Sequence, residues 1–310
     1  MAGFPAEVRV REVGPRDGFQ NEPEVIGTAE KVRLIGMLID AGLKRIEVTS
    51  FVRADVIPQL ADGAEVLAAL AELERPDDLS LSVLIPNERG LENALAQREH
   101  FDEVSVFLSA SETHNRKNVN RSIEESMAGL ERVISTARGA GLRCEGVIAT
   151  SFGCPYEGEV PLERVLGLAE RLAAAGCEEV GFGDTTGMAN PRQVGEFYAA
   201  ARERLSGPEL TAHFHNTRGQ GLANALAALG QGVASFESSF GELGGCPVPP
   251  GSTGNVSTED LISMLHEMGI ATGVDLERLL AASHAVQEVL GRPLGAHLLT
   301  AGPVRWDGEA

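Results

Sequence analysis

This sequence predicts an α/β fold, a single (β/α)8 TIM barrel with extra helices at its C-terminal end, and three observations carry the prediction. Short apolar, β-branched runs alternate with longer amphipathic ones, the rhythm of βα units repeated around a parallel sheet. Eight such units can be counted in 310 residues, a length at which barrels stay one domain. Glycines stand where helices must hand over to strands, in "AGLKRIEV", "GAGLRCEGV" and "AAGCEEVGF".

In chain order, the strands are read at 8–14 ("VRVREVG"), 45–50 ("RIEVTS"), 79–86 ("LSLSVLIP"), 102–110 ("DEVSVFLSA"), 142–151 ("LRCEGVIATS"), 178–185 ("EEVGFGDT"), 210–216 ("LTAHFHN") and 235–240 ("SFESSF"). Amphipathic stretches near 29–42, 60–75, 88–97, 122–140, 161–176, 191–205 and 219–230 supply the helices between them. "STEDLISMLHEMG" (257–269) supplies the eighth, and its "STED" has the spacing of a helix N-terminus. Residues 271–310, including "LERLLAASHAVQEVL", are read as an appended helical region. "SETHNRKNVNRS" (111–122), after the fourth strand, is read as a loop, and no linker divides the chain.

Composition narrows the function. With 45 acidic against 26 basic residues and a formal charge of −19, the chain lacks the basic face that nucleic acid or an anionic membrane requires. Any anionic substrate must be held locally. Cys144, Cys154, Cys177 and Cys246 form neither a CxxC pair nor a dense disulfide framework, so they are read as reduced thiols in a cytoplasm. The opening "MAGFPAEVRV" lacks a signal-peptide pattern, and no stretch approaches the ~20 apolar residues of a membrane helix.

In barrels of this kind the active groups gather at the C-terminal ends of the strands. There the sequence places Arg16 and Asp17, then Glu47, Thr49 and Ser50, then Asp184 and Thr185, then "HFHN" with His213 and His215. Residues two apart in a strand face the same way, so the two imidazoles either pack and hydrogen-bond or grip one ion. A set of His, carboxylate and amide ligands suits Mg2+ or Mn2+, with Zn2+ less favoured because no thiolate cluster supports it. "PRDG" is either an ion pair bracing a turn or an aspartate on a metal beside an arginine that stabilises negative charge on a carbonyl oxygen. The segment 241–255, "GELGGCPVPPGSTGN", reads as a mobile loop over the barrel mouth, carrying Cys246 at its middle and Asn255 at its end. Cys154, in "SFGCPYEG", lacks glycines on both sides and is read as structural. Arg116 and Lys117, in the 111–122 segment, are either solvated or candidates to touch the phosphates of a large anionic cofactor.

Taken in order, "EVGPRDGFQNE", "IEVTSFV", "PQLADGAEVL", "SIEES", "GCPYEG", "GDTTGMANP", "HFHNTRGQGLANALAAL" and "GGCPVPPGSTGNVSTEDL" resemble the 3-hydroxy-3-methylglutaryl-CoA lyase family over nearly the whole chain. The resemblance implies a divalent-metal barrel that cleaves 3-hydroxy-3-methylglutaryl-CoA, or a close 3-alkyl analogue, to acetyl-CoA and acetoacetate or the matching 3-oxo acid. It assigns the metal to Asp17, His213, His215 and Asn255, Arg16 to the thioester carbonyl, and Cys246 and His213 to proton movement. Glu47 takes a supporting place beside Asp17, with Gln20, Ser50 and Thr185 as further supporting or substrate-binding residues. An acyl-CoA substrate and a homodimer are likewise implied.

Three departures stand out from the usual family pattern: Glu22-Pro23 in place of Glu-Lys, Gly181 in place of serine, and the polar "SETHNRKN". All three are expected beside the mouth. Two other readings compete. One is a condensing synthase of the isopropylmalate or homocitrate type, which shares "RDG" and "HxH" but has "GERxGN" in place of the cysteine loop. The other is an acyl-CoA-binding barrel without turnover.

Overall fold

The computed structural model describes residues 3–245 and 254–306. Eight parallel strands, β1 (Arg9–Glu12), β2 (Arg45–Ser50), β3 (Ser80–Leu84), β4 (Glu103–Ser109), β5 (Arg143–Ala149), β6 (Glu179–Asp184), β7 (Glu209–Phe214) and β8 (Ser235–Ser238), close a barrel in sequence order. Closure is made by β8 pairing with β1, from Arg9 opposite Ser235 to Glu12 opposite Ser238.

Around it run α1 (Thr28–Asp40), α2 (Gly63–Leu70), α3 (Glu88–Leu95), α4 (Glu112–Val119), α5 (Ile123–Gly139), α6 (Leu162–Ala175), α7 (Pro191–Arg204), α8 (Gly221–Gly230) and α9 (Thr258–Glu267). Two more, α10 (Leu276–Leu290) and α11 (Leu298–Ala301), follow the barrel. Their position is tied to α1, since the Asp275 amide donates to the Ala41 carbonyl at 2.8 Å and the Asp275 carboxylate caps α10.

The apolar core is the shell between strands and helices. Leu34, Ile35 and Leu38 recur at helical spacing on α1 and are fully buried, each contributing about 1.5–3 kcal/mol. Gly42 and Gly176, in two of the helix-to-strand turns, adopt left-handed φ values of 91° and 116° that a side chain would strain. Ser257 caps α9 by accepting from the Asp260 amide at 3.0 Å, as "STED" predicts.

One element differs in kind from the sequence reading: 111–122 is not a loop but contains α4. Ser111 caps it by accepting from the His114 amide at 3.1 Å, and Asn120 ends it in a left-handed turn. Its polar composition hid the helix, which buries His114 and Asn115 rather than an apolar stripe. The first strand is also shorter than read. The chain leaves it at Glu12 and coils through a π-helical turn, Gly14–Gly18, which carries Arg16 and Asp17.

Inside the barrel the strands are charged. Arg11 is buried among Glu103, Glu145, Glu179 and Glu237, and Arg45 pairs with Glu179 and Glu103. Removing one member of such a network would leave an uncompensated buried charge.

Candidate metal centre and active site

Three chain segments meet at the C-terminal mouth of the barrel. The π-helical turn after β1 brings Asp17, β7 carries His213 one residue before its end and the chain continues to His215, and residues 254–256 return alongside β7. There Asn255 bridges to His215, and the Val256 amide donates to the Phe214 carbonyl at 2.9 Å. Ligand atoms of Asp17, His213 and His215 lie within 4.8 Å of one another. The two imidazole Nε2 atoms are 3.2 Å apart, a separation at which both can serve one ion.

Asp17 is held from three sides. Arg16 Nη1 donates to its Oδ1 at 2.7 Å, Gln20 Nε2 to the same oxygen at 2.8 Å, and Asn255 Nδ2 to its Oδ2 at 2.8 Å. Burial works against its ionisation, but Arg16, His213, His215 and Asn255 outweigh it and hold the carboxyl below the usual range. Arg16 Nε is bound to Glu47 Oε2, so Glu47 supports Asp17 through the arginine rather than directly.

His213 Nδ1 faces Glu237 Oε2 at 2.8 Å. Burial opposes protonation of this imidazole, while Glu237 and Asp17 favour it more strongly. A carboxylate only accepts, so in the neutral ring the proton sits on Nδ1 and the Nε2 lone pair faces the cluster. Asn255 Oδ1 is buried without a hydrogen-bond partner. A bare amide oxygen, a carboxylate and two imidazoles together fit a divalent cation.

The remaining predicted residues divide. Ser50 sits at the β2 end with a buried, unpartnered hydroxyl and lines a cavity of about 970 Å3. Thr185 is committed elsewhere, its hydroxyl accepting from the Thr150 amide at 2.9 Å. Its neighbour Asp184 is the buried carboxyl of that strand end: Oδ1 takes the amides of Met188 and Ala189 while Oδ2 is buried and unpartnered. Burial pushes the Asp184 carboxyl up to about 7, against those amides and His213. Arg116 pairs with Glu112 at 2.8 Å, and Lys117 stands 5.0 Å over the Tyr156 ring. The same segment lines the cavity with Asn118, Asn120 and Arg121 instead. Cys246 lies outside the described residues, as does most of the 241–255 loop. Cys154 is fully buried and bridges to Gly158.

Gly181 corrects an expectation. It lies within β6 facing Glu145, where a Cβ would make ordinary contact 3.4 Å from Oε1, so this departure sits inside the barrel and not beside substrate at the mouth. Glu237 and Arg11 escaped the sequence reading altogether. The available signal was a charge in the middle of strands that a parallel barrel should keep apolar: Arg11, Glu145 and Glu237.

The chain is similar to known proteins over nearly its whole length. Hydroxymethylglutaryl-CoA lyase of Bacillus subtilis is 46% identical over 291 residues, covering 94% of this chain and 96% of that one. The mitochondrial enzyme of Rattus norvegicus is 42% identical over 292 residues, covering 94% and 88%. The solved structure of an HMG-CoA lyase from Acinetobacter baumannii, in complex with coenzyme A and 3-methylmalate, superposes with a TM-score of 0.92 at 39% identity, covering 100% of this chain and 99% of that one. A family model described as HMGL-like matches residues 7–286, and with such identities over nearly the whole length, this chain belongs to the HMGL-like family.

Proposed function

We propose that this protein is a divalent-metal-dependent carbon–carbon lyase that cleaves 3-hydroxy-3-methylglutaryl-CoA to acetyl-CoA and acetoacetate. The observation that carries the reading is the convergence of Asp17, His213 and His215 with Arg16 hydrogen-bonded beside them. The lyase names of relatives at 40–46% identity favour it over a condensing synthase or a barrel without turnover.

Asp17, His213, His215 and the free Oδ1 of Asn255 would hold the ion, with Mg2+ or Mn2+ preferred over Zn2+ on the mixed N/O donor set. The ion supplies Lewis-acid polarisation of the substrate's tertiary hydroxyl. Once a base takes the tertiary hydroxyl proton, the bond joining the carbinol carbon to the thioester α-carbon breaks, leaving the ketone of acetoacetate and a thioester enolate that takes up a proton at carbon to give acetyl-CoA. Arg16 spends Nε on Glu47 and one Nη1 hydrogen on Asp17, so the rest of its five-donor fork is available to the enolate oxygen. His213 has Nδ1 on Glu237, so its ligand role and any proton transfer compete for the same Nε2. That competition leaves the Cys246 thiol as the better proton carrier.

The cavity beside Ser50 is wide enough for an extended acyl-CoA, and Arg53, Arg89, Arg121 and Arg132 on its walls offer cationic contacts for the phosphates. Arg116 and Lys117 keep a peripheral place in this reading.

A homodimer in a reducing cytoplasm completes the proposal. The three described cysteines are free thiols, and no helix among the described residues is long and apolar enough to cross a membrane. Light scattering on the purified protein tests the dimer. The decisive assay offers 3-hydroxy-3-alkylglutaryl-CoA thioesters with and without EDTA. Metal-dependent acetyl-CoA release, fastest for the 3-methyl compound, is expected, and release that survives EDTA overturns the reading.

A further inference from the structure

We propose that Glu237 is a positioning residue for His213, and that the buried Arg11 dictates how it works by fixing which of its oxygens faces the imidazole. The two ends of the Glu237 carboxylate have different neighbours. Oε2 lies 2.8 Å from His213 Nδ1, while Oε1 lies 3.5 Å from Arg11 Nη1, and all three side chains are buried. Arg11 is donor-only, so whatever atom of residue 237 faces it must accept. The carboxylate satisfies both neighbours at once. It takes the Arg11 charge on one oxygen and the Nδ1–H of His213 on the other, which keeps the neutral imidazole in the tautomer whose Nε2 is bare.

Swapping the carboxylate for an amide breaks that symmetry. In Glu237→Gln, the amide oxygen must turn to Arg11, which has nothing to accept with. The amide NH2 then faces His213 Nδ1 and forces it to accept, moving the ring proton to Nε2, the atom that points into the Asp17 and His215 cluster. The isosteric variant thus keeps the packing but blocks a ligand atom. Glu237→Ala removes the group altogether, leaves both tautomers open to the ring, and is the milder lesion for metal binding. A residue that only filled space would show the reverse order, because alanine opens a cavity and glutamine does not.

The inference rests on the reading of Asp17, His213 and His215 as a metal site, and one set of measurements separates the two. Free Mn2+ is titrated against the full-length wild type, Glu237→Gln and Glu237→Ala by electron paramagnetic resonance, with thermal unfolding in parallel. Wild type binds Mn2+. Glu237→Gln binds 10–100-fold more weakly at an unchanged unfolding midpoint, and Glu237→Ala falls between. A wild type that binds no Mn2+ removes the metal reading and this inference together. A wild type that binds, with glutamine within threefold of it or alanine weaker than glutamine, leaves the metal site standing and overturns the role of Glu237. A second readout needs no variant to fold: long-range 1H–15N spectra of the metal-free, 15N-histidine-labelled wild type, taken at a pH where the His213 ring is neutral, place its single proton on Nδ1, and a neutral ring protonated on Nε2 refutes the inference directly.

Discussion

Replacing Arg16 by alanine tests the chemistry at its centre. The guanidinium is largely buried, anchored through Nε to Glu47 and through Nη1 to Asp17, so its outward donors are aimed by two carboxylates instead of being free to swing. A preorganised donor of this kind on a developing oxyanion is worth about 2.7–4 kcal/mol, so Arg16→Ala should lower kcat by about 10²–10³. A second effect must be separated from the first. Without Arg16 the buried Glu47 loses the partner of its Oε2 and Asp17 loses one of its three donors, which loosens the metal aspartate. The assay is steady-state acetyl-CoA release at rising Mn2+, with Mn2+ affinity measured on the same variant. Arg16→Lys restores a charge but offers one compact ammonium where the native fork reaches two carboxylates and the substrate, so it should recover only part of the loss. Arg16→Ala turnover within about fivefold of wild type at saturating Mn2+ would refute the oxyanion role. A loss that excess Mn2+ repairs would assign Arg16 to holding Asp17 alone.

Other perturbations separate the remaining parts. Cys246→Ala should abolish turnover while leaving Mn2+ affinity unchanged, and persistent activity would remove the thiol from the mechanism. Asp17→Asn removes the anionic ligand while keeping hydrogen-bonding capacity, and Mn2+ titration should show at least a tenfold weaker site; equal affinity would move the ion elsewhere. Glu259 gives a pH signature. It is buried between the Gly241 amide and the Ser283 hydroxyl with Oε2 unpartnered, and burial, outweighing those donors, pushes it from 4.5 up to about 7. The folded chain therefore holds this proton to higher pH than the unfolded chain does. Its contribution is complete below pH 4.5, declines as pH rises through the window to about 7, and is flat above it, an effect on the order of 3 kcal/mol. Urea unfolding from pH 5 to 8 should show a shallower decline in Glu259→Gln than in wild type, and parallel profiles would sink the assignment.

The barrel itself was legible because its signals are local. Alternation of apolar runs, glycines at the helix ends and the Ser257 cap each act over a few residues, and all eight strands fell where those signals place them. So was the same-face pairing of His213 and His215, which follows from strand geometry alone. α4 was missed because its stabilising contacts are caps and buried polar groups, which carry no apolar period.

What the amino-acid order determined by itself was therefore the repeated βα architecture and the residue types at its strand ends. Tertiary structure alone decided which of those residues share a charge. Asn255, which the family resemblance had already grouped with Asp17, donates to it across 238 positions, while nothing in the sequence signalled that Arg11 meets Glu237 across 226 or that Gly181 faces Glu145 inside the barrel. The physical reason is that a buried charge is tolerated only where an opposite partner or donor meets it, and barrel closure, which joins the first strand to the last, supplies partners that no local pattern can announce.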